Sequence, residues 1–149
     1  ILMYVYIDFK NVQLYNSNMR KKQLIIDASC IMAVIKQEET AKEVMEKSNG
    51  YELLSAECLP YEVGNSLSKC LKRGLMTVDA AIHCYELFKV LPVTLIEVDF
   101  KNSLSLSAEE HHYAYDMYYL DCAIRNRCSI LSYDEGLILI AKKRGIKCL

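Results

Sequence analysis

Short, largely apolar runs that alternate with helical stretches are the feature that most constrains the fold of this chain. The runs lie at residues 24–26, 52–55, 93–98, 129–132 and 146–148. Parallel strands are buried on both faces of a sheet, so continuous apolar sequence of this length is typical of them. Helices are predicted directly after the first run and at 38–48, 58–73, 78–91, 101–112, 117–127 and 135–144. This alternation predicts one α/β domain with a parallel sheet covered by helices on both faces.

Capping residues support several of these helix boundaries. Asp27 or Ser29 follows the first strand and can cap the next helix, and Thr77 precedes the helix at 78–91. Asp116 stands at the N-cap position of the helix predicted over 117–127. Side chains of this kind accept hydrogen bonds from the free N–H groups of a first helical turn.

Composition excludes several classes of function. The 149 residues carry 18 Lys and Arg against 19 Asp and Glu, for a net charge of −1. Binding of nucleic acid through positive charge alone is therefore not expected. The chain has 5 glycines and 2 prolines, and no glycine-rich phosphate loop of the ATP- or NAD-binding kinds is present.

Cysteine spacing and hydropathy bear on the cellular compartment. The chain has 7 cysteines, none in a C-x-x-C pair, and 3 histidines that do not complete a zinc site. We therefore expect a reduced, cytoplasmic protein whose cysteines pack in the core. No apolar run reaches the roughly 18 residues that a membrane span requires, so no membrane association is expected.

Residues 1–18 differ from the rest of the chain. Their apolar start is followed at once by Asp8 and lacks the basic region of a signal peptide. Met19 stands just before the first predicted strand, where a natural start would fit. We expect residues 1–18 to be an N-terminal extension or an expression artefact, and residues 19–149 to form a single domain.

Acidic residues fall where a parallel sheet binds its ligands. Asp27 and Asp134 follow the first and fourth strands, and ligands bind beyond the carboxyl ends of such strands. Glu62 lies at the margin of an apolar helix face, while Asp116 and Asp121 belong to a later helix. Helix capping or solvent exposure accounts for each acid singly. Together they form a plausible oxygen-ligand site for Mg²⁺ or Mn²⁺, because clustered carboxylates repel without a cation.

At these residues the chain resembles the PIN-domain family, and within it the VapC-like toxins. The resemblance covers nearly all of 19–149 and is carried by residues 24–29, 61–67, 115–120 and 130–137, in this order and spacing. It implies a PIN-like three-layer α/β/α sandwich with a central parallel sheet of about five short strands.

The resemblance also implies a site, residue by residue. The family's four metal-binding catalytic acids match Asp27, Glu62, Asp116 and Asp134. The positions that support such a site match Ser132, a hydroxyl residue, and the polar residues Ser29 and Asn65. Asp121 stands where relatives more often carry a small residue, and it is either a further supporting acid or a departure without consequence.

The implied function is that of a Mg²⁺- or Mn²⁺-dependent endoribonuclease. A VapC likeness further implies a homodimer and a cognate VapB-like antitoxin. RNA needs positive charge near the acids, and Lys69, Lys72 and Arg73 at the end of one helix are candidates. Other cations at helix ends are Arg125, Arg127, Lys142, Lys143 and Arg144. Tyr118, Tyr119 and Tyr133 flank the acids and are candidates for stacking on a base, for packing in the core or for a dimer contact.

Other functions remain open at this stage. A phosphatase of the haloacid-dehalogenase type requires Asp-x-Asp after the first strand, whereas Asp27 is followed by Ala28 and Ser29. A phospho-receiver frame does not fit either. An RNA-processing PIN nuclease without an antitoxin and a non-catalytic PIN module that binds RNA or protein are the two alternatives within the family.

Overall fold

The parallel sheet is the centre of the molecule. The computed structural model describes residues 21–149, so the extension expected at 1–18 lies outside the described residues. Four strands, β1 (Gln23–Ile26), β2 (Glu52–Ala56), β3 (Val93–Ile96) and β4 (Ser129–Leu131), pair in the order β3-β2-β1-β4. All three pairings are parallel. The expected fifth strand at 146–148 is reduced to one bridge, between Cys148 and Ile130.

Seven helices connect and cover the described strands. Their bounds are α1 (Ala28–Ile35), α2 (Ala41–Ser48), α3 (Leu59–Lys72), α4 (Val78–Lys89), α5 (Phe100–Glu110), α6 (Ala114–Asn126) and α7 (Glu135–Lys143). Each predicted helix is present, and the bounds that were predicted differ from those observed by at most three residues. Among residues 21–149, no helix combines the length and the apolar character that crossing a bilayer demands.

Two apolar cores lie on opposite faces of the sheet. On one face, Leu24 and Ile26 of β1 pack with buried residues of α1 to α4. On the other face, Ile25 packs with buried residues of α5, α6 and α7. Side chains alternate across a strand, which sends neighbouring residues of β1 into different cores. The predicted three-layer α/β/α sandwich is therefore confirmed, and burying each such Ile or Leu stabilises it by about 1.5 to 3 kcal/mol.

One capping prediction is wrong, and the error concerns a candidate site residue. Helix α6 begins at Ala114, after an extended Tyr113, so Asp116 lies inside the first turn rather than at the N-cap. Its carboxylate faces the imidazole of His112. The other caps agree with the prediction, since Asp27 accepts from the N–H of Cys30 and Thr77 caps α4.

The cysteines remain thiols. All seven are free, and three of them, Cys30, Cys84 and Cys122, are buried in the two cores. Burial raises the pKa of the Cys122 thiol to about 12, so this residue behaves as a small apolar side chain rather than as a nucleophile.

Candidate metal centre

The carboxyl ends of β1 and β4 bring two aspartates to one edge of the sheet. The two strands are neighbours and run parallel, so the residues that follow them emerge side by side. Asp27 caps α1, and Asp134 caps α7 by accepting a 2.9 Å hydrogen bond from the N–H of Leu137. Asp27 and Asp134 can therefore cap a helix and also lie at the edge of the sheet where ligands bind, because a helix begins soon after each strand.

Asp27 is a buried carboxylate held entirely by neutral donors. It is 5% exposed. Its Oδ1 accepts from the Ser29 hydroxyl at 2.7 Å and from the N–H of Cys30 at 3.2 Å, and its Oδ2 accepts from the Ser132 hydroxyl at 2.6 Å. Burial raises the pKa of Asp27, the hydroxyls oppose this, and the charge of Asp134 adds to it. In the part of the chain that the structure describes, no cation pairs with Asp27.

Both serines join Asp27 to the loop after β4. The hydroxyl of Ser29 accepts from the N–H of Tyr133 at 2.9 Å, and that of Ser132 accepts from the N–H of Asp134 at 2.9 Å. Each hydroxyl therefore donates to the carboxylate and accepts from the backbone beyond the neighbouring strand. This arrangement ties the position of Asp27 to that of Asp134.

Glu62 reaches the same region from α3. Its Oε2 accepts a 2.8 Å hydrogen bond from the Tyr119 hydroxyl. Its pKa rises to about 7 through burial and through the charges of Asp27 and Asp116, while the Tyr119 hydrogen bond and Lys69 act in the opposite direction. Tyr119 is 2% exposed, so it packs in the core and is not accessible for stacking on a base.

Asp116 and Asp134 share their part of the site with a histidine. One ligand atom from each of His112, Asp116 and Asp134 lies within 4.8 Å of the other two. The imidazole Nε2 of His112 is 2.5 Å from Oδ2 of Asp116. Burial raises the pKa of Asp116, as does the charge of Asp134, and His112 lowers it. His112 is not among the site residues predicted from sequence, where the histidines were considered only as zinc ligands. The signal that could have indicated it is the His-x-x-x-Asp spacing from His112 to Asp116.

Asp121 and Asn65 lie apart from this group. Asp121 accepts hydrogen bonds from Arg125, Asn102 and the N–H of Asp99, at 2.8, 2.6 and 3.1 Å. These contacts hold the start of α5. Asn65 is exposed on α3, and its side chain makes no hydrogen bond with the described residues. Among the described residues, the structure thus brings the ligand atoms of Asp116 and Asp134 together with His112. Asp27 and Glu62 lie outside that group but interact with it through their charges, Ser29 and Ser132 hold Asp27, and Asp121 and Asn65 take no part.

Comparison with known proteins identifies the family. The model of the PIN domain matches residues 24–143. The chain belongs to the PIN domain family. It is 30% identical over 120 residues to ribonuclease VapC3 of Pyrobaculum aerophilum, across 77% of this chain and 92% of that relative, which confirms a VapC-like PIN domain. The crystal structure of PAE2754 from the same organism superposes with a TM-score of 0.61 at 22% identity, over 91% of this chain and 89% of that one. At that identity the match shows the fold alone.

The donor set of this PIN domain fits a divalent cation. Carboxylates converge from the ends of β1 and β4 and from α3 and α6, and the pKa values of three of them, Asp27, Glu62 and Asp116, are raised. Burial and mutual repulsion of such carboxylates is costly. Carboxylate oxygens are the ligands that Mg²⁺ and Mn²⁺ prefer, so a bound cation would offset this cost.

The candidate cations divide into two groups. Arg125 forms an ion pair with Asp121, and Lys143 and Arg144 form ion pairs with Glu110. Lys69, Lys72 and Arg73 lie exposed at the end of α3 and form no salt bridge with residues 21–149. The charge of Lys69 lowers the pKa of Glu62, so this lysine is near the acids.

Proposed function

We propose that this protein is a divalent-metal-dependent endoribonuclease, the toxin of a VapBC-type toxin–antitoxin pair. The observation that carries the proposal is the group of four carboxylates, Asp27, Glu62, Asp116 and Asp134, coupled through their charges at one edge of the sheet. The relative named ribonuclease VapC3 supports RNA as the substrate. We propose the four acids as the metal-binding catalytic residues, with Ser29 and Ser132 as supporting residues.

The surroundings of each acid leave oxygen atoms available for a cation. Asp27 presents its carboxylate in a single orientation, because hydrogen bonds hold both of its oxygens. Tyr119 occupies Oε2 of Glu62 and leaves Oε1 for a cation. Asp116 and Asp134 face each other across the same space. A bound Mg²⁺ or Mn²⁺ supplies the Lewis acid that neutralises phosphate charge and activates water for hydrolysis.

Substrate binding is assigned to the end of α3. Lys69 is close to Glu62, and Lys72 and Arg73 continue the positive charge away from the acids. Cations attract an RNA backbone through its phosphates and carry no sequence preference by themselves. We therefore expect their removal to weaken RNA binding at low salt and to have less effect at high salt.

The partners in this proposal follow from the VapC likeness. They are a VapB-like antitoxin and a second copy of the chain, acting in the cytoplasm. A PIN nuclease that processes RNA without an antitoxin would share the same chemistry, and the gene next to this one distinguishes the two. A non-catalytic PIN module is disfavoured because all four acids are present.

The decisive experiment is an RNA cleavage assay with the purified full chain. We expect cleavage with Mg²⁺ or Mn²⁺, and a loss of at least about 100-fold in Asp27→Asn and in Asp116→Asn, because each removes a negative charge from the cation site. Asp79→Asn changes an exposed aspartate in the first turn of α4 and is the matched control. Full activity in both site variants, or cleavage in excess EDTA, contradicts the proposal.

A further inference from the structure

His112 brings a nitrogen donor to a site that otherwise offers oxygen. We propose that His112 binds the cation directly and makes this centre prefer Mn²⁺ over Mg²⁺. The inference rests on the proposed metal-dependent function and adds both a ligand and an ion preference. Its basis is the approach of one imidazole nitrogen to two carboxylates, those of Asp116 and Asp134, within 4.8 Å.

The backbone of His112 is held in place from one side. Helix α5 ends at Glu110, and His111 then adopts a left-handed conformation with φ of 51°. The N–H of His112 donates to the carbonyl of Ser107 at 3.2 Å, and the Ser107 hydroxyl donates to the carbonyl of His112. This double contact fixes the backbone from which the imidazole extends.

A glycine on α7 makes room for the ring from the other side. A Cβ at Gly136 would lie 2.8 Å from Cε1 of His112, and 3.1 Å from both Nε2 of His112 and Oδ1 of Asp134. At 2.8 Å something must shift, and the group that can move is the imidazole. Gly136 therefore leaves the space that the ring occupies, and this space also borders Oδ1 of Asp134.

This geometry favours direct binding over mere orientation of Asp116. A histidine that only donated a hydrogen bond to Asp116 would have no need to approach Asp134. Here Nε2 contacts Asp116 and also borders the gap beside Asp134. Three donors, two from around the start of α6 and one from the start of α7, thus face a common space, as the ligands of one cation do.

Ligand chemistry sets the expected ion preference. Mg²⁺ binds oxygen donors almost exclusively and keeps several waters. Mn²⁺ also prefers oxygen donors, but as a transition-metal ion it accepts an imidazole nitrogen more readily than Mg²⁺ does. A site with two carboxylates and one imidazole therefore binds Mn²⁺ more tightly than an all-oxygen site would, and gains little for Mg²⁺. We therefore expect this centre to bind Mn²⁺ more tightly than Mg²⁺.

The direct test is pulsed electron paramagnetic resonance of Mn²⁺ bound to the full chain. Wild type should show coupling to a directly bound ¹⁴N nucleus, and His112→Gln should lose it. His83→Gln, which changes an exposed histidine on α4, should keep it. By calorimetry, His112→Gln should lower the affinity for Mn²⁺ about 10- to 100-fold and change that for Mg²⁺ by less than about threefold.

A second pair of variants tests the space beside Gly136 without changing His112 itself. Gly136→Ala should push the imidazole away and reproduce the loss of Mn²⁺ affinity, while helix propensity favours its folding. Gly64→Ala, where an added Cβ meets nothing within 4 Å, is the control. If circular dichroism shows that His112→Gln does not fold, this pair of variants tests whether His112 contributes to Mn²⁺ binding.

The outcomes separate this inference from the proposed function. Absence of ¹⁴N coupling in wild type, no binding of Mn²⁺, or equal losses for Mn²⁺ and Mg²⁺ in His112→Gln overturns the role of His112. RNA cleavage that accompanies any of these results leaves the nuclease proposal standing. Conversely, if ¹⁴N coupling is observed but no divalent metal supports RNA cleavage, His112 is confirmed as a metal ligand and the proposed nuclease function is contradicted.

Discussion

Two aspartates are buried among residues 21–149, and they differ in the charge of the groups that surround them. Asp27 is 5% exposed and Asp121 is 0% exposed, and each accepts three hydrogen bonds from described residues. One donor to Asp121 is the guanidinium of Arg125, at 2.8 Å. All donors to Asp27 are hydroxyls or a backbone N–H.

The presence or absence of a cationic partner distinguishes a carboxylate with a structural role from one that is suited to bind a cation. Asp121 has its counter-charge within the fold, so its negative charge is neutralised where it stands. Burial raises the pKa of Asp27 and no cation among residues 21–149 compensates for it. A buried charge without a partner is costly, and proteins keep such charges chiefly where an external cation or a substrate needs them.

The largest expected contrast lies between the two Asp→Asn variants. Asp121→Asn should destabilise the protein by about 2 to 3 kcal/mol. It leaves Arg125 without its negative partner, and it places an amide NH₂ group, itself a donor, against side chains that donate hydrogen bonds to Asp121. Asp27→Asn should leave the metal-free protein as stable as wild type or more stable at pH 7.5, because the serine hydroxyls can rotate to accept from the amide. Denaturation in urea measures both, and losses of similar size in the two variants would remove the distinction.

Metal binding should discriminate between the same two residues. At about 100 times its dissociation constant, a cation that binds only the folded state adds about 2.7 kcal/mol of stability. We expect this gain in wild type and in Asp121→Asn, and none or little in Asp27→Asn. Thermal unfolding with Mn²⁺ and with EDTA provides the measurement. If Mn²⁺ stabilises Asp27→Asn as much as wild type, the cation binds at a site that does not include Asp27.

The pH dependence of stability should reveal the cost of the uncompensated acids. The pKa of Glu62 is about 7 in the folded protein against 4.5 ordinarily, so the folded state holds this proton more tightly than the unfolded chain. The metal-free protein should therefore lose about 1 to 2 kcal/mol as pH rises from 4.5 to 7, a value reduced by solvent screening at this partly exposed group. The raised pKa of Asp27 acts with the same sign.

The variant Glu62→Gln isolates this contribution. Its stability in EDTA should fall less than that of wild type over the same pH range, since it lacks the titrating group. Urea denaturation at several pH values gives the comparison, with Asp79→Asn as the control. Identical pH profiles for wild type and Glu62→Gln would show that Glu62 titrates normally.

The smallest expected effect concerns the hydroxyl that orients Glu62. Tyr119→Phe removes one hydrogen bond and keeps the buried ring, so we expect a stability change of no more than about 1 kcal/mol. Metal affinity should decrease several-fold, because Glu62 loses its fixed orientation. Tyr118→Phe changes a neighbouring hydroxyl that makes no hydrogen bond with the described residues, and calorimetry should show no effect. Equal metal affinities in Tyr119→Phe and wild type would show that the hydroxyl has no orienting role.

Local sequence patterns predicted the elements of the fold because they depend on neighbouring residues. The continuous apolar run 24–26 had to be a buried strand, and the spacing of apolar residues in 58–73 had to form an amphipathic helix. Boundaries were less certain. Asp116 resembled a cap by its residue type, but α6 begins two residues earlier, and a carboxylate in the first turn is as favourable to a helix as one at its cap.

The sequence by itself determined the order of strands and helices, the family, and the placing of Asp27 and Asp134 beyond parallel strands. Only the tertiary structure decided which acids are neutralised within the fold. It brought Asn102 to Asp121 and Tyr119 to Glu62. It also allowed His112 to approach Asp134 through the space left by Gly136. The physical reason is that charge compensation and close approach depend on residues distant in the chain, whose distances are set by packing rather than by local preference.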